Sequence, residues 1–273
     1  MNNKTHDTRL KKAISYLLVP VIRLFYHFGV DFNEFSDIAK RTYVHVATNY
    51  PIGINGKPTA VAISEIAGIP RREVSRLQKL NVEDPQYYEI PLSIGSKVFS
   101  AWLRNEKYLN DKQQPLTLAL SGQAISFASL VKEYGEGHSY DQVLTELTSL
   151  GVAEIIDYER IKLINTDCIP IANEVEKFVI ICRYGANLLN AGRHNIVHDK
   201  ETPFFQKGVT FEDVPLDVLE EFKTFSGERS MDLLLEYNRW FYEKMKSRRV
   251  DGLSKKARLG VGIFYFDNVK YKD

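Results

Sequence analysis

Thr59-Ala-Val-Ala-Ile-Ser-Glu-Ile-Ala-Gly-Ile-Pro-Arg-Arg-Glu-Val-Ser-Arg-Leu-Gln-Lys-Leu80 is the stretch on which the fold turns. Thr59 is an N-cap type, and the short helix it starts ends near Gly68. Pro70 suits the first turn of a second helix, because its missing N–H is not needed there. Ser64 lies one helical turn before Gly68, where a small side chain lets two helices touch. Ile63, Ala67, Ile69, Val74 and Leu77 then fall where a helix-turn-helix buries its apolar groups. Arg71, Arg72, Ser75, Arg76 and Lys79 face away from that core, towards the N-terminal end of the second helix. That is where a recognition helix presents side chains to a major groove, and arginine there takes either a phosphate or a guanine edge.

Upstream, Leu10, Ile14, Leu17, Leu18, Val21, Ile22 and Phe25 recur at helical spacing. Pro20 is expected to kink or split that helix and Gly29 to stop it. Asp31 is a cap, and Glu34 three residues on completes a capping box. Phe35, Ile38, Ala39, Tyr43, Val46 and Ala47 form one apolar face. The loop Pro51–Pro58 has Asn55-Gly56 as its tightest turn signal.

Downstream, the pattern is helix, strand, helix, helix, hairpin. Val98–Leu103 is helical with Trp102 inward, and Leu116–Leu120 is a short strand. Ser126–Tyr134 is an amphipathic helix ended by Gly135. Ser139 caps a helix over Tyr140–Leu150 that turns Val143, Leu144, Leu147 and Leu150 inward and closes at Gly151. Val152–Asp157 and Ile161–Asn165 pair around Tyr158-Glu159-Arg160. This order is the winged-helix pattern. Its exposed helix face carries Asp141, Gln142, Thr145, Glu146, Thr148 and Ser149. Two carboxylates and no cation repel phosphate, so this unit reads as an interaction module for a protein partner.

The last hundred residues predict an α+β domain. Asn173–Asn190 is helical. Phe204–Phe211 is a strand. Pro215 opens a helix towards Phe225, and Ser230–Met245 is a second one. Arg258–Phe266 carries the strongest strand pattern in the chain, with Gly260 and Gly262 leaving room for close packing. The expected layout is a helix-turn-helix domain over 1–90, a winged-helix-like domain over 91–168 and an α+β domain over 169–273. The fold class is mainly α with small β.

The 273 residues carry 36 basic and 35 acidic side chains and are 44% apolar. Intrinsic disorder over most of the length is therefore not expected. The net charge of +1 makes local bias the only route to nucleic acid. Residues 1–95 hold 12 basic and 9 acidic side chains, 96–170 hold 7 and 10, and 171–273 hold 17 and 16. The last part is polarised, with 3 basic and 8 acidic between Phe204 and Glu236, then 8 and 2 between Arg239 and Arg258. Lys246, Arg248, Arg249, Lys255 and Lys256 in that stretch are candidate secondary phosphate contacts, weighed against a plain solvated connector. The apolar run Ile14–Ile22 is too short to span a bilayer, which needs about 20 residues. It follows Lys11-Lys12, but Arg23 and His27 come next and no small-residue cleavage site appears, so a signal peptide is not expected. Cys168 and Cys182 cannot build a disulfide framework, which favours a reducing, cytoplasmic location.

Motifs for chemistry are missing. There is no G-x-x-x-x-G-K-[ST] loop and no G-x-S-x-G elbow, and Gly260-Val-Gly262 lies in a strand pattern with no helix after it. Cys168, Cys182, His194 and His198 make the one metal-like set, yet the cysteines are not a close pair and Cys182 sits on an apolar helix face. No metal, cofactor, catalytic residue or enzymatic activity is expected. An aromatic pocket of Tyr237, Trp240 and the last strand reads as plain core.

Four stretches carry a resemblance: Ile22-Arg-Leu-Phe-Tyr-His-Phe-Gly-Val-Asp-Phe-Asn-Glu-Phe35, Glu65-Ile-Ala-Gly-Ile-Pro-Arg-Arg-Glu-Val74, Ser126-Phe-Ala-Ser-Leu-Val131 and Arg258-Leu-Gly-Val-Gly-Ile-Phe-Tyr-Phe266. Over nearly its whole length the chain resembles bacterial proteins grouped as domain-of-unknown-function family 6502. The resemblance implies a helix-turn-helix protein and brings no activity, cofactor or catalytic residue with it. The expectation is a cytoplasmic double-stranded-DNA-binding protein, a transcriptional regulator that reads DNA through Arg71, Arg72, Ser75, Arg76 and Lys79 as a homodimer. The rival is a tandem winged-helix adaptor that binds a protein through its acidic middle unit.

Overall fold

Among the described residues, two segments that alternate apolar residues have no strand to pair with, and this shapes the second half of the molecule. The computed structural model describes residues 2–50, 57–89, 93–111, 114–122, 124–149, 151–164, 174–198, 202–246 and 257–269. Among them the chain is mainly helical with one small sheet. It divides into two compact units, residues 1–90 and 91–273.

In the first unit, α1 runs over Asn2–His27 and α2 over Phe32–Asn49. Pro20 does not split α1, which passes through it unbroken. Proline removes one hydrogen bond, and the long flanking turns absorb the loss. Gly29 takes a left-handed φ of +72° to end the helix. Asp31 accepts from Glu34 N at 2.9 Å. Among the described residues Glu34 makes no return bond, so only half of the expected capping box forms. Helices α3 (Ala60–Ala67) and α4 (Arg71–Glu83) follow. Val44, Ala47, Ile63, Ile69, Val74 and Leu77 form the buried cluster that α2, α3 and α4 share. Asn55 and Gly56 lie outside the described residues.

The second unit holds α5 (Ile94–Arg104), β1 (Leu118–Ala119), α6 (Phe127–Tyr134), α7 (Tyr140–Ser149), β2 (Ala153–Ile156) and β3 (Arg160–Leu163). The sheet is antiparallel in the order β1-β3-β2, with Leu118 opposite Ile161 and Ile155 opposite Ile161 on the other side. Trp102, Tyr108, Phe127, Leu130, Leu147 and Ile161 are fully buried where the helices meet the sheet. The indole N–H of Trp102 donates to Leu116 O at 3.0 Å, which satisfies a polar atom in the core. Ser126 is buried and forms a capping box with Ser129. Ser139 and Gln142 form another across 3.2 Å bonds.

Two long helices complete the unit, α8 (Glu174–Val197) and α9 (Leu216–Lys246). The two helices expected over 215–245 are one. Gly227 interrupts the sequence pattern but not the helix, since a glycine costs a long helix only about 1 kcal/mol. The strands expected at Phe204–Phe211 and Arg258–Phe266 are not formed. Among the described residues no backbone hydrogen bond joins either segment to a neighbouring strand. Alternation signals a strand only where a partner edge exists, and glycines at 208, 260 and 262 raise the entropy cost of extending alone. The small β component is therefore the 118–163 sheet, and the α+β expectation for 169–273 is corrected accordingly. Among the described residues of 174–269 none is buried.

Candidate nucleic-acid interface

The turn between α3 and α4 is built by four residues. Thr59 Oγ1 accepts from Ala62 N at 3.2 Å and starts α3. Gly68 takes φ +66°, a left-handed residue that ends it, and any other side chain there would be strained. Pro70 is the N-cap of α4, one residue ahead of the first-turn position expected for it. Ser64 does more than leave space: its hydroxyl donates to Ile69 O at 2.7 Å and ties α3 to the turn. Ile63 and Val74 meet beneath it with no exposed surface.

All five predicted contact residues are exposed on α4. At about 100° per residue they fall within roughly 140° of arc, so they share one face. They are not equivalent. Among the described residues the guanidinium groups of Arg71 and Arg72 make no ion pair. Arg76 holds Glu73 in a two-bond contact at 2.8 and 2.5 Å, and this contact keeps the Glu73 carboxyl below its usual range. Lys79 lies 3.8 Å from Glu83. Ser75 donates to Arg71 O at 3.1 Å, which occupies its proton within the helix. Pro70 supplies no side-chain cap, so the first-turn N–H groups of α4 have no side-chain acceptor from it, and they add to the positive end of the helix dipole.

Arg41 is a structural residue that no sequence pattern announces. Its guanidinium donates to Asn81 Oδ1 at 2.8 Å and Leu80 O at 3.3 Å, pairs with Asp84 at 3.5 Å and stacks 3.5 Å over the Tyr87 ring. Tyr88 Oη donates to Arg41 O at 3.1 Å. His45 packs on the Tyr88 ring at 3.7 Å, and burial lowers its pKa. These contacts clamp the C-terminal end of α4 to α2 and set the angle at which α4 is presented. All five partners of Arg41 are more than 35 residues away in sequence, so no local pattern announces them.

In the second unit the outer face of α7 exposes Asp141, Gln142, Thr145 and Ser149, while Thr148 is half-buried and back-bonds Leu144 O at 2.8 Å. Glu146 is turned to the N-terminus of α5, where its carboxylate accepts from Gly95 N at 3.2 Å. The β2–β3 turn places Asp157 and Tyr158 at φ +54° and +57°, with Tyr158 96% exposed at its tip. The two cations of this hairpin are matched, Arg160 by Asp157 and Lys162 by Glu154.

The secondary contacts fare differently. Arg248, Arg249, Lys255 and Lys256 lie outside the described residues, as does the side chain of Lys246. Of the metal-like set, Cys168 is also outside them. Cys182 is half-buried and its thiol is pushed up by burial. His194 and His198 do share a face, with ring centroids 4.9 Å apart. But the His194 ring stacks on Phe204 at 3.9 Å, and its Nε2 is 3.0 Å from Thr202 O. Tyr237 and Trp240 line no core and are exposed. No helix is long and apolar enough to cross a membrane among the described residues.

A family model described as a family of unknown function, DUF6502, matches residues 8–273. No curated protein and no solved structure matches the chain.

Proposed function

We propose that this chain, which belongs to the DUF6502 family of unknown function, is a double-stranded-DNA-binding protein that acts in transcription, with α4 as the helix that enters the major groove. The observation that carries this reading is the exposed face of α4. It has two arginines without an ion pair among the described residues at the N-terminal end and two further cations whose carboxylate partners are exposed or half-exposed. Arg71 and Arg72 are placed for the first phosphate or guanine contacts. Arg76 and Lys79 join when phosphate replaces Glu73 and Glu83. One such helix covers a half-site, so the DNA-reading form holds two copies.

The second unit supports a different role. Its order of α5, β1, α6, α7, β2 and β3, with β3 central, supports reading it as a winged helix. The helix in the reading position is acidic. This favours an adaptor surface for a protein partner alongside DNA binding by the first unit, and it is the second reading if DNA binding fails.

Fluorescence anisotropy with a random-sequence duplex across a salt series tests the proposal. The expected result is binding that weakens steeply with salt and is largely lost in an Arg71→Ala/Arg72→Ala variant. No binding at low salt would overturn it and leave the adaptor reading, to be pursued with a pull-down on the second unit's acidic face.

A further inference from the structure

Helix α9 has two faces. Leu219, Ser226, Ser230, Leu234 and Asn238 are half-buried within the unit. About a quarter turn away runs a second stripe of Val218, Phe222, Phe225, Leu233, Tyr237 and Trp240, between 38% and 60% exposed. Steps of three and four residues, with one of eight across the exposed Arg229, keep that stripe straight over six turns. Leu216, Phe241 and Met245 are also exposed but lie about 100° or more round the helix from the centre of the stripe. At roughly 100 Å² for each of the six stripe side chains, α9 alone offers about 600 Å² per partner, the lower end of a stable interface.

Charge identifies what covers the stripe. Between residues 217 and 236 the helix has six acidic and two basic residues, and between 239 and 246 it has three basic and one acidic. The two basic residues of the acidic part are used locally, Lys223 near Glu220 at 3.9 Å and Arg229 near Asp232 at 3.8 Å. Glu221, Glu228 and Arg239 are exposed along one edge of the stripe and make no ion pair among the described residues. A helix polarised end to end complements a copy of itself only when the copy runs antiparallel. A two-fold axis gives that arrangement and brings like edges together.

We propose that this chain forms a two-fold homodimer in which α9 packs antiparallel on α9 of a second copy, stripe to stripe. With the axis crossing near Ser230, the middle of the helix, Glu221 of each copy lies opposite Arg239 of the other. Beside the axis Arg229 of each copy lies nearly opposite Asp232 of the other, which it shares with the neighbouring Glu228. The lack of any buried residue over the described part of 174–269 fits a region completed by its own copy, as in homodimers without a stable monomer. The inference rests on α9 and is independent of DNA binding.

Light scattering of the full chain on a sizing column tests it. Wild type is expected at twice 31.4 kDa. Glu221→Arg and Arg239→Glu, each made alone, replace two attractions with two repulsions and are expected to weaken self-association about tenfold or more. Circular dichroism checks that their helix content is kept. An equimolar mixture of the two single variants restores both contacts and is expected to run as a heterodimer, and the Glu221→Arg/Arg239→Glu double variant as a homodimer. Residues 221 and 239 are about 27 Å apart along one helix at 1.5 Å per residue, so rescue cannot arise within a chain. A monomeric wild type overturns the proposal, as does a dimer indifferent to both reversals or single variants that fail to rescue each other. The Arg71→Ala/Arg72→Ala variant stays dimeric, which separates this outcome from that of the DNA experiment.

Discussion

The cations of α4 differ in what holds them, and that difference sets a quantitative expectation for DNA binding. Each phosphate neutralised on a duplex contributes about 0.9 to the slope of log affinity against log salt. A fourfold rise in salt therefore costs a factor of about 3.5 per contact. Removing Arg71 and Arg72 is expected to flatten the slope by about 1.8, equivalent to a twelvefold smaller loss across that salt range. Arg76 starts from a different state, because its two bonds to Glu73 must be exchanged for bonds to phosphate. The exchange is feasible because the Arg76 side chain is 55% exposed, and exposed ion pairs contribute only about 0–1 kcal/mol. Glu73→Gln removes the competitor and a negative charge near the duplex. It is expected to tighten binding and steepen the slope by up to about 0.9. Anisotropy titrations of wild type, Arg71→Ala/Arg72→Ala and Glu73→Gln at four salt concentrations measure all three slopes. An unchanged slope in the double variant, or weaker binding by Glu73→Gln, would refute the assignment of α4 as the contacting helix.

Arg41→Ala is expected to cost the first unit about 2 kcal/mol, since it removes charged hydrogen bonds and a stacked ring from a side chain only 15% exposed. Hydrogen exchange in α2 and α4 should quicken about thirtyfold while α5–α7 are unaffected; equal quickening in both units would show that Arg41 is not a local clamp. Tyr158→Gly is expected to stabilise the β2–β3 hairpin by roughly 0.5–1 kcal/mol, because a left-handed residue loses its steric cost and no packing is removed. A lower midpoint of thermal unfolding, followed by the fluorescence of buried Trp102, would mean that the tyrosine holds the hairpin in place. Ser126→Ala removes the buried cap of α6 and is expected to lower stability by about 1–2 kcal/mol by the same measurement; a neutral result would place the start of α6 under the control of Phe127 packing alone.

Local physics was legible where it needed no distant partner. Thr59, Asp31 and Ser139 cap the helices they precede, because a cap depends on backbone N–H groups two or three residues away. Ile63, Val74 and Leu77 are buried as their spacing requires, and the exposed face of α4 follows from the same periodicity. What escaped the reading depends on contacts across the fold. The role of Arg41 is set by Asn81, Asp84 and Tyr87, some 40 residues away, and the commitment of Glu146 to Gly95 N needs α5 and α7 to be packed first. Pairing of Arg76 with Glu73 is an i, i+3 contact that spacing permits, yet its two-bond geometry distinguishes Arg76 from Arg71 and Arg72 only once the rotamers are seen.

The segments 204–211 and 258–266 test the limits of periodicity from the other side. Phe205, Val209 and Phe211 lie on one side of an alternating pattern and are 71% to 89% exposed, and Leu259, Phe264 and Phe266 are 61% to 72% exposed. Tyr184 of α8 comes within 3.4 Å of where a Cβ on Gly262 would sit, and Asn195 holds both the N–H and the carbonyl of Phe204. Each segment is thus tethered to α8 through a few contacts while its apolar side chains stay in water. Alternation records a preference for a pleated, half-covered environment, and such a preference is met only when another edge or face arrives. The same holds for the stripe on α9. Helix-period and strand-period signals in this part of the chain therefore agree with one another. Both describe surfaces shaped for burial that the described residues of one copy leave uncovered.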